Sequence, residues 1–156
     1  MTGVRLTVQD DALGQAVTRL GALGKAIHEP DLLAIAGAVV ESSTRDRFDT
    51  KVAPDGTPWA PWSAAYAKTR KPRHSLLVSS GGLRDSIASF IDTAAGEVSI
   101  GSNLVYAAVQ QFGGGELDAA LPASKIPARP FLGISDEDRT GIERAISTFV
   151  EEILAE

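Results

Sequence analysis

The sequence predicts an α+β domain: a small, mostly antiparallel sheet with helices packed on one face, ending in a long C-terminal helix. Three patterns carry this. Val4, Leu6 and Val8 alternate with Arg5, Thr7 and Gln9, the period of a half-buried strand. Leu83 to Asp92 sets Ile87 and Ile91 against Ala88 and Phe90. After the turn residues Thr93 to Gly96 come Val98 and Ile100, so the stretch reads as a β-hairpin. Ile142, Ala145, Ile146, Phe149, Val150, Ile153 and Leu154 then recur at helical spacing.

The chain has 156 residues, 44% apolar and 22% charged, and is read as one domain over 1–156. At that size a core forms without metals or cross-links. Zero cysteines exclude disulfide scaffolds, thiolate metal sites and Cys nucleophiles. No apolar run approaches the roughly 20 residues of a membrane span. Met-Thr-Gly-Val-Arg shows no basic region followed by an apolar one, so a soluble, cytoplasmic product is expected.

The remaining elements follow in order. After Asp10 and Asp11, the residues Leu13, Ala16, Val17, Leu20, Leu23 and Ile27 share one helical face. Gly14, Gly21 and Gly24 weaken that helix by roughly 1 kcal/mol each. Pro30 suits the first position of a second helix, which runs to about Phe48 with Leu32, Ile35, Ala36, Val39, Val40 and Ser43 on its buried side. From Thr50 to Gly82 periodicity disappears. Four of the eight prolines and both tryptophans lie in this stretch, read as a long assembly loop at about 50–82. Asn103 opens a short helix through Tyr106, Val109, Gln110 and Phe112, stopped by Gly113, Gly114 and Gly115. A second loop, 114–127, leads to a proline-rich extended segment from Ile126 to Ile134. Ser135 and Asp138 then occupy the N-cap and N3 positions of a capping box.

Charge is segregated along the chain. Residues 56–84 carry five bases and no acid, whereas 135–156 carry seven acids and two bases. Opposed patches of this kind suit docking of one copy on the next, and the bland alternative is a solvated basic loop. With a net charge of −5, the chain offers DNA at most that one loop.

Little in the sequence points to chemistry. His28 and His74 stand 46 positions apart without acidic partners at ligand spacing and read as surface histidines. There is no nucleophile elbow, P-loop or zinc-protease motif, and no cofactor or metal is expected. Asp31 with Asp49 and Lys51 has a superficial nuclease spacing. A helix between the two acids would separate them by roughly 27 Å, too far to share a metal. A hydrolase with scattered carboxylates is the least favoured reading. Trp59 and Trp62 act either as anchors for a partner or as pins that hold a long loop on its own domain, the second fitting Trp59 better. Between Pro127 and Pro130 the backbone is held extended as an edge or strap, and Arg129 there is expected to hold a specific carboxylate or carbonyl.

Four segments in register resemble the phage virion morphogenesis family, the tail-completion proteins of Mu-like and P2-like phages. They are Pro54-Asp55-Gly56-Thr57-Pro58-Trp59-Ala60-Pro61; Leu77 with Gly82-Leu83-Arg84-Asp85-Ser86-Ile87; Val105-Tyr106-Ala107-Ala108-Val109-Gln110-Gln111-Phe112-Gly113; and Ile126-Pro127-Ala128-Arg129-Pro130-Phe131-Leu132-Gly133. One departure is Gln110, where the family often has His. The resemblance, which covers about 30–156, implies a structural virion protein of the head–tail junction and not an enzyme. It implies a six-fold ring of identical copies that caps the tail tube and meets the head connector or head-closure protein. Passing DNA would be touched transiently and no membrane is involved. A ring needs two different complementary faces. The residues expected at them are Trp59, Trp62, Lys68, Arg70, Lys71 and Arg73, with Arg129 and Phe131. The alternative is a DNA-binding module that uses the basic loop at 68–84.

Overall fold

A computed structural model of the chain describes residues 4–8, 29–115 and 125–155. The helix expected over 11–27, and His28, lie outside the described residues. Helix α1 spans Glu29–Thr50, with Pro30 in its first turn, where the missing N–H leaves no helical bond unmade. Its burial is broader than the single stripe read from the sequence. Leu33, Ala36, Val40 and Phe48 enter the main core with Val98 and Ile100. Leu32 turns the other way, to Ile146 and Val150. The helix is buried on two sides because it lies between the sheet and the last helix. It approaches the sheet closely at Gly37, where a Cβ would come within 2.9 Å of the Val98 side chain.

Among the described residues the sheet has three strands, β1 (Val4–Val8), β2 (Ala88–Asp92) and β3 (Glu97–Ser102), in the order β1-β3-β2. Both pairings are antiparallel, with Val8 opposite Val98 and Asp92 opposite Glu97. As the central strand, β3 is buried from Val98 to Ser102. The hairpin turn is held by Asp92 Oδ1, which accepts from the Ala94 and Ala95 amides at 3.0 and 3.1 Å.

The hairpin begins later than the sequence suggests. Gly82–Asp85 is a helical turn, designated α3 below, and not strand. Leu83 and Ile87, both buried, are four residues apart, a spacing that suits a helical turn as well as a strand face. A shorter helix than expected follows β3, over Ala107–Phe112, and Gly113 caps it with φ 81°. The long last helix, Asp136–Ala155, starts as its capping box requires. The Asp138 amide donates to Ser135 Oγ at 3.1 Å, and the Ser135 amide donates back to Asp138 Oδ2 at 2.8 Å.

With a further helical turn at Ala64–Ala67, the helices among the described residues are, in chain order, α1, α2 (Ala64–Ala67), α3, α4 (Ala107–Phe112) and α5 (Asp136–Ala155). That turn lies in the stretch without periodicity, which is not structureless. At its start Val52 bridges to Pro58 across a tight turn. Pro54 and Asp55 occupy the turn centre, the Gly56 amide donates to Ala53 O at 2.9 Å, and Gly56 takes φ 82°. A second tight turn joins Ser75 to Val78, with Leu77 at φ 58°. Turn chemistry of this sort has no hydrophobic period, so period alone does not reveal it.

Candidate functional site

The extended segment 126–134 is a strap laid across α4 and the 52–62 turn. Its prolines leave few amide donors, so side chains from elsewhere pair with its carbonyls and remaining amides. Gln111 does most of this. Its Oε1 accepts from the Phe131 and Leu132 amides, both at 2.9 Å, and its Nε2 donates to Leu132 O at 3.0 Å. The Arg129 amide donates to Gln110 O at 2.8 Å. The Trp59 indole donates to Pro130 O at 2.7 Å, while its ring meets Phe48 edge-on at 5.6 Å. At Gly133 a Cβ would stand 2.5 Å from the Pro54 ring, so only glycine lets strap and turn approach this closely.

Arg129 ties the strap to the loop. Its Nε donates to Ala60 O at 2.7 Å and its Nη2 to Pro61 O at 3.2 Å. The carbonyl partners expected from the sequence are thus present. Burial lowers the guanidinium pKa below its ordinary value, with Tyr66 opposing, and the group keeps its charge at neutral pH. A second buried arginine holds the other end of the strap. Arg47 donates to the carbonyls of Phe131 and Gly133, each at 3.0 Å, and pairs with Asp138.

Between loop and strap lies an open cleft of about 770 Å³. Trp62, Tyr66 and Tyr106 give it aromatic walls, and Arg70, Lys125 and Arg129 give it positive charge. Among the described residues, no Asp or Glu lines it. The Arg70 guanidinium stacks 4.2 Å from the centre of the Tyr66 ring, which Trp62 meets edge-on at 6.1 Å. His74 also lines the cleft, and its Nδ1 is buried with no hydrogen-bond partner among the described residues.

The structure divides the eight residues named from the sequence into two sets. Trp59, Arg129 and Phe131 are buried within the chain, Phe131 completely. Trp62 and Arg70 are half-buried at the cleft, and Lys68, Lys71 and Arg73 are exposed beside it. Sequence reasoning gave no role to Gln111, Arg47 or the two tyrosines. Gln111 could have been singled out as a polar residue facing the core of a short apolar helix. Arg47 carries no such signal, because a basic residue near a helix C-terminus is ordinarily solvated. The two acids of the nuclease-like pattern sit at opposite ends of α1, and the described residues include no group of three or more possible metal ligands.

The segments on which the resemblance rests therefore meet in one place, the joint of loop, α4 and strap. The model of the phage virion morphogenesis family matches residues 8–151. The chain belongs to that family. A putative capsid assembly protein G of Escherichia phage Mu is 33% identical over 125 residues, 78% of each chain. No solved structure matches the chain. For this member of the virion morphogenesis family, motif residues such as Trp59, Gln111 and Arg129 hold the fold together, and others, Tyr106 and Pro127 among them, line the cleft. Among the described residues no helix is long and apolar enough to cross a membrane.

Proposed function

We propose that this virion morphogenesis protein is a structural component of the phage head–tail junction, a ring that caps the tail tube and meets the head connector. The observation that carries this reading is the separation of two unlike surfaces on one fold. The aromatic, cationic cleft and its flanking Lys68, Lys71 and Arg73 form one surface. The outer side of α5, with Asp136, Glu137, Glu143, Glu151 and Glu152 exposed, forms the other. Unlike, complementary surfaces are what a closed ring of identical copies needs. Trp59, Arg129 and Phe131 serve such an assembly indirectly, by fixing the loop that presents Trp62 and the bases.

The name of the phage Mu relative favours a second reading, a role in building the capsid shell. Gold-labelled antibody against this chain, applied to purified virions, separates the two. Label at the junction of head and tail is expected. Label over the capsid faces, or none on mature particles, would contradict the junction reading.

A further inference from the structure

Helix α1 spans the molecule between two ends of opposite charge. The Ser89 amide donates to Glu41 Oε2 at 2.8 Å, and Arg45 Nη2 donates to Ile87 O at 2.7 Å, so α1 runs against β2 and starts toward the hairpin turn. Leu32 packs with Ile146 and Val150, while Arg47 pairs with Asp138, so α5 in turn runs against α1. The start of α1 and the last turns of α5 therefore share one end of the molecule. Loop and strap share the other, where Phe48 meets Trp59 and Phe131 at 5.6 and 5.4 Å. Between Leu32 and Phe48 the helix holds these ends roughly 24 Å apart.

The loop end is basic. Lys68, Lys71 and Arg73 are exposed beside the cleft, and Arg70 lies half-buried against Tyr66. Residues 56–84 contain no acid to neutralise them. At the far end Asp31, in the first turn of α1, and Glu151 and Glu152, near the end of α5, are exposed. Elsewhere exposed charges are matched within the chain, Asp49 by Arg84 at 3.0 Å and Asp136 by Arg139 at 3.1 Å. Among the described residues, Lys68, Lys71, Arg73, Asp31, Glu151 and Glu152 form no such pair. The charges left over are thus bases at one end and acids at the other. They are too far apart for one copy to join them, but two copies placed end to end bring them together.

We propose that the last turns of α5 from one copy dock at the cleft of the next, with Glu151 and Glu152 facing Lys68, Arg70 and Lys71 and the helix flank resting on Trp62 and Tyr66. Charge complementarity fixes the direction, because like ends repel. The contact is head-to-tail, the kind that closes into a ring when the rotation between copies allows. It rests on the self-assembly reading above and gives that reading a specific joint.

A chain without native cysteines makes cross-linking clean. Ser147→Cys, one turn before Glu151 on α5, and Ser79→Cys, on the cleft wall, are made as separate proteins, mixed and oxidised. Light scattering follows the oligomeric state of the unmodified chain. A disulfide between position 147 of one copy and position 79 of another is expected. Adding Glu151→Lys with Glu152→Lys to the first protein, or Lys68→Glu with Lys71→Glu to the second, is expected to cut its yield about tenfold with melting unchanged. Making both reversals at once is expected to restore the link, which a merely structural role of these residues would not do. An oligomer without the 147–79 link, or with a link that neither reversal weakens, overturns this joint and leaves the ring reading standing. A chain that stays monomeric at all concentrations overturns both. Binding of a fluorescent DNA duplex that Lys68→Glu with Lys71→Glu abolishes, with no 147–79 link, assigns the basic end to nucleic acid and also overturns the proposal.

Discussion

Asp138 serves two structures at once, closing the cap of α5 and holding Arg47 beneath the strap. Both side chains are nearly fully buried. Removing one partner therefore leaves a buried charge uncompensated, and Arg47→Met is expected to cost about 3–5 kcal/mol in urea unfolding. Arg129 differs in that its partners are neutral carbonyls. Arg129→Ala strands the carbonyls of Ala60 and Pro61 and is expected to cost about 2 kcal/mol. Arg129→Lys is expected to recover little, because a single ammonium cannot reproduce the fork that reaches both carbonyls. Unchanged melting of both variants would show that the strap is held by other contacts. These roles were only partly legible. The stiff Pro-Ala-Arg-Pro backbone marked Arg129 as a residue with a specific partner, whereas the distance of 91 positions between Arg47 and Asp138 hides their pairing from any local pattern.

At the scale of elements, the two tryptophans separate what the loop does for the fold from what it offers a partner. Trp59→Ala removes a 5% exposed ring and the bond to Pro130, so a loss of about 3–5 kcal/mol is expected. Trp62→Ala is expected to leave stability within about 1 kcal/mol and to act on assembly alone, which comparison of melting with sedimentation checks. The strand edge gives a second test. Replacing Glu41 and Arg45 together by Ala uncovers the Ser89 amide and the Ile87 carbonyl, and faster aggregation on mild heating is expected by light scattering. Elements with a strong period or a cap were legible in the sequence. These are α1, the hairpin and α5, down to the reciprocal bonds of Ser135 and Asp138. The 50–82 stretch was not, because its order comes from Pro-Asp-Gly turn geometry and a buried Trp contact with a strap 71 residues away. At Leu83 the apolar spacing fitted strand and helix alike, and the tertiary position of the turn decided for helix.

For the whole molecule, membership of the virion morphogenesis family was legible because four motif segments survive in register. The cleft was not, since its walls come from the loop, from Tyr106 and Gln110, and from the strap, which only the fold brings together. The charge segregation that was visible gains its meaning there, as a cleft that the described residues line with bases and no acid on a chain of net charge −5. Screening shortens the reach of such charges to about 8 Å at physiological salt, so assembly is expected to weaken but not vanish as salt is raised. The most direct test of the junction role is electron microscopy of a lysate in which the gene for this chain carries a stop codon. Filled heads beside separate tails are expected, with overlong tails if the ring also terminates the tube and tails of normal length if it only joins. Intact virions in normal number, or malformed capsids with no filled heads, would contradict the account.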